Sequence, residues 1–499
     1  MALKGRDLVT IDDLANGEIE ALFSVADEFA DHLPDQYGLC RGKVMASLFF
    51  EPSTRTRLSF ETAMHRLGGR VISVSDPKST SLAKGESIAD MARIVAGYAD
   101  VIVIRHPWEG AAKLVADYSG VPVINAGDGG HQHPTQTLCD LYTLKKERGD
   151  LGKLKIALWG DLKYGRTTHS LIFALAKFGA TIVFCPSRGL EVPENVLRKL
   201  VTEYGGELER LRERKARSGS FPVDAVYMTP GKPHQLAMMP DIDLDVELKA
   251  GVDALYVTRP QKERFTTEES AAGGDIEFPV VDKKMMRGPE FRKTLVMHPL
   301  PRVDELAYDL DADPRSMYFK QAARGVPVRM ALLAMALGAK DAAVTEEPAK
   351  HADYPVYQRD YGVKCNNPKC VTRQESEQKY LKPGFKIVSR DPLTLRCVYC
   401  EHGTEPKYVA SAEWHEGKLE YKYYHRASSH WTKRIDPQNL IAFDSEKEAE
   451  EHGFKPAPGP KPRAKKEPVE EGLPGESSPT SVRGENDNDS AVNTERPAA

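Results

Sequence analysis

The sequence predicts an α/β fold with two doubly wound parallel-sheet domains, followed by a small domain that carries four cysteines and by a disordered tail. Short apolar runs alternate with helical patterns up to about residue 338, as expected for βα units on parallel sheets. Four cysteines then lie between residues 365 and 400. After Lys455 the chain has eight prolines and no aromatic residue, so it cannot bury enough apolar surface to fold.

The first sheet is predicted from four apolar runs. They span residues 43–50, 70–75, 100–105 and 121–125. Between the first two runs, Phe60, Ala63, Met64 and Leu67 recur at helical spacing, which predicts a helix with one face buried against the sheet. The glycine pair 68–69 is expected to end this helix, because glycine adopts the left-handed turn without steric hindrance.

The second sheet is predicted from five further runs. They span residues 154–161, 180–185, 224–229, 253–258 and 294–300. The helical stretch 133–149 is expected to connect the two domains, and the apolar helix around Val328 to Leu337 is expected to pack back across the first domain. In this fold class ligands bind beyond the carboxyl ends of the strands.

The composition favours a small-molecule partner. The 499 residues carry 69 basic and 73 acidic side chains, a net charge of -4, which is not typical of chains that coat nucleic acid or an anionic membrane. No apolar run reaches the ~18 residues of a membrane span, and the first residues lack a secretory signal. We therefore expect a cytoplasmic protein without membrane partners. In such a reducing compartment, its seven cysteines are interpreted first as metal ligands or reactive groups rather than as disulfides.

The stretch FEPSTRTR, residues 50–57, predicts an anion site between a strand and a helix. Ser53, Thr54 and Thr56 offer hydroxyls and helix-start amides, and Arg55 adds a planar fork of donors that suits a phosphate. The alternative is an ordinary capped helix with surface arginines.

Three other strand ends carry compatible groups: residues 105–107, 133–136 and 165–167. Arg105 and His133 could donate to a carbonyl or phosphate oxygen, and Gln136 offers an amide to a planar ligand. Taken singly, such a loop arginine or histidine is more often a structural donor.

These strings together resemble a known family. FEPSTRTR, HPTQTLCDLYTL, GDLKYGRTTHSL, VTRPQKERF and HPLPRVDEL follow the order of the motifs of aspartate carbamoyltransferases, over roughly residues 5 to 338. The resemblance implies the aspartate/ornithine carbamoyltransferase fold. It also implies that carbamoyl phosphate and L-aspartate react to N-carbamoyl-L-aspartate and phosphate in de novo pyrimidine (UMP) biosynthesis, without a catalytic cofactor.

The resemblance also implies a role for each matching residue. The phosphate is expected to be held by Ser53, Thr54, Arg55 and Thr56. The carbamoyl group is expected to lie among Arg105, His133 and Gln136. The aspartate carboxylates are expected to be bound by Arg166, Arg259 and Gln261. The closing loop contains Pro299 and Leu300. A neighbouring subunit is expected to supply Ser81 and Lys84, which implies a homotrimer or a multiple of trimers with shared active sites.

Carbamoyl transfer requires two anions to be oriented and an oxyanion to be stabilised, for which Arg55, Arg105 and His133 are the candidate catalytic donors. No acidic catalytic pair is expected, because carboxylates would repel both substrates. Ornithine carbamoyltransferases share the phosphate string, but their cationic substrate requires a carboxylate near a serine-methionine-glycine motif and a cysteine in an HCLP loop. Residues 259–261 are Arg-Pro-Gln and residues 298–301 are His-Pro-Leu-Pro here, which favours aspartate.

The spacing between Gly189 and Arg259 is about thirty residues longer than the family pattern implies. The excess, around residues 205–240, is highly charged and is interpreted as a solvated helix or loop rather than as a binding patch.

The spacing Cys365-x4-Cys370 and Cys397-x2-Cys400 predicts a tetrahedral structural zinc site in a zinc-ribbon-like unit. The segment resembles the zinc domain of the aspartate carbamoyltransferase regulatory chain, which implies a fused zinc domain that packs against catalytic chains. The linker is too short for the nucleotide-binding domain of that chain, so control by CTP or ATP is not implied. Cys40, Cys139 and Cys185 are interpreted as apolar fillers.

Residues 404–455 resemble the small metal-binding module of some nucleases and alkyl-transfer repair proteins. The cysteines expected near Ser429 and after Pro456 are missing, which indicates a degenerate module. Its basic, aromatic stretch 421–434 is interpreted as a small core with a solvated edge. Nucleic-acid binding is the alternative for this stretch. We do not expect nucleic acid as a partner of the protein.

The predicted domain boundaries follow from these assignments. They are a carbamoyl phosphate-binding domain at 1–140, an aspartate-binding domain at 141–338, a linker at 339–360, the zinc domain at 361–403, the degenerate module at 404–455 and the tail at 456–499.

Overall fold

The computed structural model describes most of the chain in several stretches. These are residues 3–31, 38–75, 81–187, 189–200, 202–204, 251–262, 265, 280–344, 353–375, 381–412, 414–415, 418–419 and 423–458. The predicted strand 224–229, the insertion around 205–240 and nearly all of the tail lie outside the described residues.

The first sheet is parallel and has four strands in the order β2-β1-β3-β4. They are β1 (Val44–Phe49), β2 (Arg70–Val74), β3 (Val101–His106) and β4 (Val123–Asp128). Its helices are α1 (Asn16–Asp31), α2 (Thr54–Arg66), α3 (Ile88–Ala96), α4 (Ala111–Ser119) and α5 (Pro134–Arg148). Each strand overlaps a predicted apolar run. β1 and β3 are buried along nearly their whole length, which explains their almost continuous apolar residues, whereas the edge strand β2 is largely exposed.

The second sheet is also parallel, with the order β6-β5-β7-β8. Its described elements are β5 (Lys155–Gly160), α6 (Arg166–Phe178), β6 (Thr181–Pro186), β7 (Ala254–Thr258) and β8 (Leu295–Met297). Residues 194–200 and 202–204 are helical as well. The fold class predicted for this part of the chain is confirmed.

The long helix α7 (Tyr318–Ala336) returns to the first sheet and packs against α1, α2 and α5. Its buried face includes Val328, Met330 and Leu333. One buried apolar cluster runs from Leu22 and Phe60 on the first domain's helices to Ile156 in β5. None of the described helices is long and apolar enough to cross a membrane.

The segment that contains the four clustered cysteines forms an antiparallel sheet of order β12-β11-β10-β9, in which Cys397 ends β11. Its elements are β9 (Val356–Gln358), α8 (Val371–Gln374), β10 (Gly384–Arg390), β11 (Leu393–Cys397) and β12 (Gly403–Thr404). We call residues 353–404 the metal-binding module. Its buried residues Phe385 and Leu395 belong to the same apolar cluster as Ile88 and Leu114 of the first domain, so the module packs on that domain.

The last described segment forms a second small sheet, of order β17-β13-β16-β18. Its elements are β13 (Tyr408–Ser411), β16 (Tyr423–Arg426), β17 (Leu440–Phe443), α9 (Glu446–Glu451) and β18 (Lys455–Pro456), beside the hairpin of β14 (Trp414–His415) and β15 (Lys418–Leu419). Tyr424 is buried with Phe443 and Phe454, whereas Tyr423 and Trp431 are exposed. A small core with a solvated aromatic edge is therefore present.

Candidate active site

The predicted phosphate site lies where β1 ends and α2 begins. Ser53 occupies the N-cap position of α2, but its side chain makes no capping hydrogen bond. The hydroxyl is thus not committed to the helix end. The N–H groups in the first turn of a helix lack intrahelical acceptors, so they are also suited to binding an anion there. Burial, followed by the charge of Arg259 in the second domain, lowers the pKa of Arg55. Thr56 is buried in the same first turn.

Glu51 joins two of the predicted arginines. Its Oε2 atom lies 3.1 Å from Nη2 of Arg105, at the end of β3, and 2.7 Å from Nη2 of Arg166, the first residue of α6. Arg166 also donates to the carbonyl oxygen of Gly129 at 2.6 Å, and Arg105 donates to that of Ala126 at 3.3 Å. The two guanidinium groups are therefore fixed in position before a ligand arrives.

One carboxylate, that of Glu51, lies among the predicted arginines. Its charge is offset by Arg105 and Arg166, so the site keeps a surplus of positive charge. Glu51 stands inside the phosphate string, at the end of a predicted strand, next to strand ends that were predicted to carry arginines. That proximity was the signal that could have identified it.

The position of His133 is fixed by its backbone and its electrostatic surroundings. It is the N-cap residue of α5, is buried, and donates its backbone N–H to Ser170 Oγ at 2.9 Å. Burial, followed by the charges of Arg105, Arg166 and Arg329, holds the pKa of His133 well below its usual value. The imidazole is thus neutral near pH 7 and can donate a hydrogen bond to a carbonyl oxygen without adding a charge.

Gly127 forms part of the floor beneath these groups. Its φ is 116°, and a Cβ atom there would lie 3.1 Å from Nη1 of Arg105 and 3.3 Å from Cζ of Arg166. Only glycine combines this backbone conformation with such a close approach of two guanidinium groups.

Gln136 is held by a buried carboxylate. Its Nε2 donates to Asp140 Oδ1 at 2.7 Å, while Gln321 Nε2 and the hydroxyl of Tyr256 donate to Asp140 at 2.6 and 2.8 Å. Burial raises the pKa of Asp140 to about 7. The backbone N–H of His298 donates to Gln321 at 3.1 Å, so the network connects Gln136 with the predicted closing loop.

The predicted aspartate side is organised by Asp161, which directly follows β5. Its Oδ1 accepts the backbone N–H groups of Lys163 and Tyr164 at 3.1 and 2.9 Å, and its Oδ2 accepts that of Gln261 at 2.8 Å. Arg259 follows β7 and donates to the carbonyl oxygen of Pro260 at 3.0 Å. Asp161 therefore joins the loop before Arg166 to the loop that carries Arg259 and Gln261, a role that its position in the sequence did not indicate.

The loop with Pro299 and Leu300 is held at its start. Leu300 has a φ of 55°, a conformation that side chains with a Cβ atom disfavour. Its N–H donates to His298 Nδ1 at 2.7 Å, and His298 Nε2 lies 2.8 Å from Glu305 Oε1. The buried imidazole thus maintains a strained turn at the mouth of the cleft.

Ser81 and Lys84 bound a 3-10 turn, and both side chains are exposed. Neither side chain makes a hydrogen bond or an ion pair to another described residue.

The four cysteines of the predicted metal site meet in one buried cluster. Their Sγ atoms all lie within 4.8 Å of one another. The Sγ atoms of Cys365 and Cys400 are 3.5 Å apart, and those of Cys370 and Cys397 are 3.8 Å apart. A tetrahedral metal with ~2.3 Å bonds to sulfur has Sγ–Sγ edges of about 3.8 Å. The donor set therefore fits a four-coordinate metal ion with no open position.

Comparison with protein families gives three matches along the chain. Residues 6–146 match the carbamoyl-P binding domain of aspartate/ornithine carbamoyltransferase, and residues 234–336 match its Asp/Orn binding domain. Residues 359–409 match the metal binding domain of the aspartate carbamoyltransferase regulatory chain.

Individual relatives agree with these matches. The aspartate carbamoyltransferase catalytic subunit of Thermococcus kodakarensis is 46% identical over 340 residues, which are 68% of this chain and 99% of the relative. That of Clostridium botulinum strain Okra is 43% identical over 339 residues, which are 68% of this chain and 100% of the relative.

Solved structures show the same similarity. Aspartate transcarbamoylase from Trypanosoma cruzi, in complex with carbamoyl phosphate and aspartate, has 35% identity and a TM-score of 0.55 and covers 67% of this chain and 98% of its own. The catalytic subunit from M. jannaschii has 41% identity and a TM-score of 0.53, with coverage of 67% and 98%.

Proposed function

This chain belongs to the aspartate carbamoyltransferase family, and we propose that it carries out the reaction of the family in the basic cleft between its two parallel sheets. The chain is a carbamoyltransferase that joins carbamoyl phosphate to L-aspartate, with N-carbamoyl-L-aspartate and phosphate as products, in pyrimidine biosynthesis. The observation that supports the location is the convergence of Arg105 and Arg166 on Glu51 beside a neutral His133.

Within the cleft, the two substrates divide between the domains. We assign the phosphate to the start of α2, with Ser53, Thr54, Arg55 and Thr56. The carbamoyl group is assigned to Arg105, His133 and Gln136. The aspartate carboxylates are assigned to Arg166, Arg259 and Gln261. The loop with Pro299 and Leu300 covers both ligands.

These assignments account for each chemical requirement of the transfer. The aspartate amine attacks the carbamoyl carbon, so a C–N bond forms, and the bond from that carbon to the phosphate oxygen breaks. Arg55, Arg105 and neutral His133 donate to the carbonyl oxygen as its negative charge develops, which preorganised donors stabilise better than water. The amine proton passes to the departing phosphate, so no basic side chain is required. Fixed arginines bring the two anions together despite their repulsion.

We propose that the active sites are shared in a homotrimer. Ser81 and Lys84 are exposed in their own chain, and a lysine on a neighbouring subunit would add a donor for the anionic ligands. Leu58 of α2, Ile72 of β2, and Ile94 and Tyr98 at the end of α3 expose large apolar side chains. Such an apolar surface is typical of a subunit interface.

We propose zinc as the metal of the four-cysteine cluster, because four thiolates in a tetrahedral arrangement favour zinc among the common ions. Its role is structural, since all four positions are filled by cysteine. The chain is then a catalytic chain fused to the metal-binding domain of a regulatory chain. None of the seven cysteines, all of which the structure describes, forms a disulfide, which supports a cytoplasmic location.

An assay of carbamoyl transfer with the purified chain tests the proposal. We expect N-carbamoyl-L-aspartate and phosphate in equal amounts when carbamoyl phosphate and L-aspartate are both present. A parallel reaction with L-ornithine should give no product, because the cleft presents arginines to the second substrate. Product from ornithine, or no product from aspartate with zinc-loaded protein, would contradict the proposal.

A further inference from the structure

We infer that Glu401 of the metal-binding module is a positioning residue for the active site, because its carboxylate holds the loop that carries His133. Glu401 directly follows Cys400, the last cysteine of the cluster. The inference rests on the proposed role of His133 as a donor to the carbamoyl oxygen. Glu401 would thus be a residue of the metal-binding module that helps to fix the geometry of the active site.

The Glu401 carboxylate contacts both parallel-sheet domains. Its Oε2 accepts from Gln132 Nε2 at 3.1 Å and lies 3.1 Å from His131 Nε2, in the loop just before α5. Its Oε1 lies 2.7 Å from Nζ of Lys199, a buried residue of the helical stretch 194–200. One side chain of the module therefore joins the carbamoyl side of the cleft to the second domain.

A short hydrogen-bond relay connects Glu401 with His133. The amide nitrogen of Gln132 donates to Glu401, and the amide oxygen of Gln132 accepts from Ser170 Oγ at 2.7 Å. Ser170 Oγ in turn accepts the backbone N–H of His133 at 2.9 Å. Gln132 and Ser170 are buried, so the inner part of the relay is shielded from water, whereas Glu401 is partly exposed. Moving the Gln132 amide would displace the backbone of His133.

The backbone of Glu401 supports a specific role for its side chain. Glu401 has a φ of 57°, in the left-handed region where residues other than glycine are uncommon. A glycine would relieve this strain, but it would lack the carboxylate that reaches Gln132 and Lys199. Strain of this kind persists where the surrounding contacts require it.

Two buried cationic side chains, Lys199 and His131, also depend on Glu401 as an ion-pair partner. Lys199 Nζ lies 2.7 Å from Asp12 Oδ2, and His131 Nδ1 lies 2.9 Å from Asp128 Oδ2. Burial opposes the charged form of His131, but the carboxylates of Asp128 and Glu401 outweigh it and raise the pKa of His131 well above its usual value. Without the Glu401 charge, two buried cations would lose a partner, and the loop at residues 131–133 would rearrange.

The test compares Glu401→Gln with Glu405→Gln in the zinc-loaded chain. Glu405 is the matched control, because it is an exposed glutamate close to Glu401 in sequence. It pairs with Arg198, the neighbour of Lys199. Among the described residues it makes no hydrogen bond to Gln132. We expect Glu401→Gln to lower kcat between about tenfold and a hundredfold while KM for carbamoyl phosphate changes less than about threefold. Glu405→Gln should keep the wild-type kcat. Equal zinc content and subunit mass show that both variants are assembled.

Three further variants separate positioning from loss of structure. Glu401→Gly removes the carboxylate but relieves the backbone strain, so it should fold and show the same loss of kcat. Gln132→Leu breaks the relay from the other side, and the double variant Glu401→Gln with Gln132→Leu should be no slower than the slower single variant. A wild-type kcat in any folded variant that lacks Glu401 or Gln132, or losses that multiply in the double variant, would overturn the inference. An inactive wild-type chain would instead contradict the proposed function.

Discussion

Arg166 Nη2 lies 2.7 Å from Glu51 Oε2, so the first residue of α6 in the second domain is bonded to a loop of the first domain. The same carboxylate oxygen is 3.1 Å from Arg105. The ion pair therefore joins the second domain to the first, and one carboxylate offsets the charges of both arginines.

Glu51→Gln should therefore impair catalysis by loosening both arginines. The amide keeps the shape of the side chain but loses its charge, so Arg105 and Arg166 are held less firmly and kcat should fall by about tenfold or more. Steady-state kinetics with both substrates measure the effect. Glu147→Gln is the control, because Glu147 pairs with Arg324 away from the cleft. Equal activities of the two variants would show that the Glu51 bridge is not required.

Arg55→Ala should nearly abolish turnover. It removes the proposed donor to the phosphate and the carbamoyl oxygen, and loss of one such group typically lowers kcat by about a hundredfold to a thousandfold. Arg57→Ala is the matched control from the same string, since Arg57 pairs with Glu61 along the surface of α2 at 3.8 Å. Phosphate release measures both. If Arg57→Ala lost as much activity as Arg55→Ala, the assignment of roles along α2 would be wrong.

The sequence was sufficient to predict the described strands. It also singled out candidate residues whose side-chain type suits a ligand. Strands such as β3 and β5 are buried and almost uninterrupted in apolar residues, so their positions are visible in the sequence. Arg105 and His133 became candidates because polar groups at strand ends of parallel sheets converge, whereas Arg259 became one only through the family resemblance.

The groups that hold those residues could not be found in this way. Asp161 and Ser170 accept the backbone N–H groups of Gln261 and His133, which are far away in the chain, and no local pattern encodes these partners. Glu401 is the clearest case, because its partner Gln132 is 269 positions away. A left-handed backbone at a residue other than glycine has no signature in the sequence.

His133 should not determine the pH dependence of the reaction between pH 6 and 9. Its pKa is held well below 6.5 by burial and three arginines, so the imidazole is neutral throughout this range. His133→Asn should lower kcat, but the shape of its pH profile should match that of the wild type. A wild-type inflection near pH 6.5 that disappears in His133→Asn would contradict this.

The same shift affects stability with a definite sign. Below pH 6.5 the unfolded chain binds a proton at His133 and the folded chain does not, so the contribution of this residue to stability falls as the pH is lowered from 6.5 toward the folded pKa. His133→Asn should therefore show a smaller loss of free energy of unfolding between pH 7 and pH 5.5. Denaturant titrations at the two pH values measure the difference.

Mixed trimers test whether Lys84 serves a neighbouring site. Lys84→Ala and His133→Ala chains should each be nearly inactive alone. When equal amounts are dissociated and reassembled together, about a quarter of the sites should combine an intact Lys84 from one chain with an intact His133 from the next. Activity should then recover to about a quarter of that of the wild type. No recovery in mixed trimers of confirmed composition would place Lys84 in its own chain's site.

Cys397→Ser should unfold the metal-binding module more than the parallel-sheet domains. The module is too small to fold on its apolar core alone, and a structural zinc ion commonly contributes about 10 kcal/mol to the folding of such a unit. The variant should lose bound metal, and protease should cut within residues 353–404 while residues 81–187 stay resistant. Cys185→Ser is the control, because Cys185 is buried in β6 and lies outside the cluster. Metal content measures the loss of the ion, and limited proteolysis measures the unfolding of the module. A metal-free variant with a protease-resistant module would show that the fold of the module does not depend on the ion.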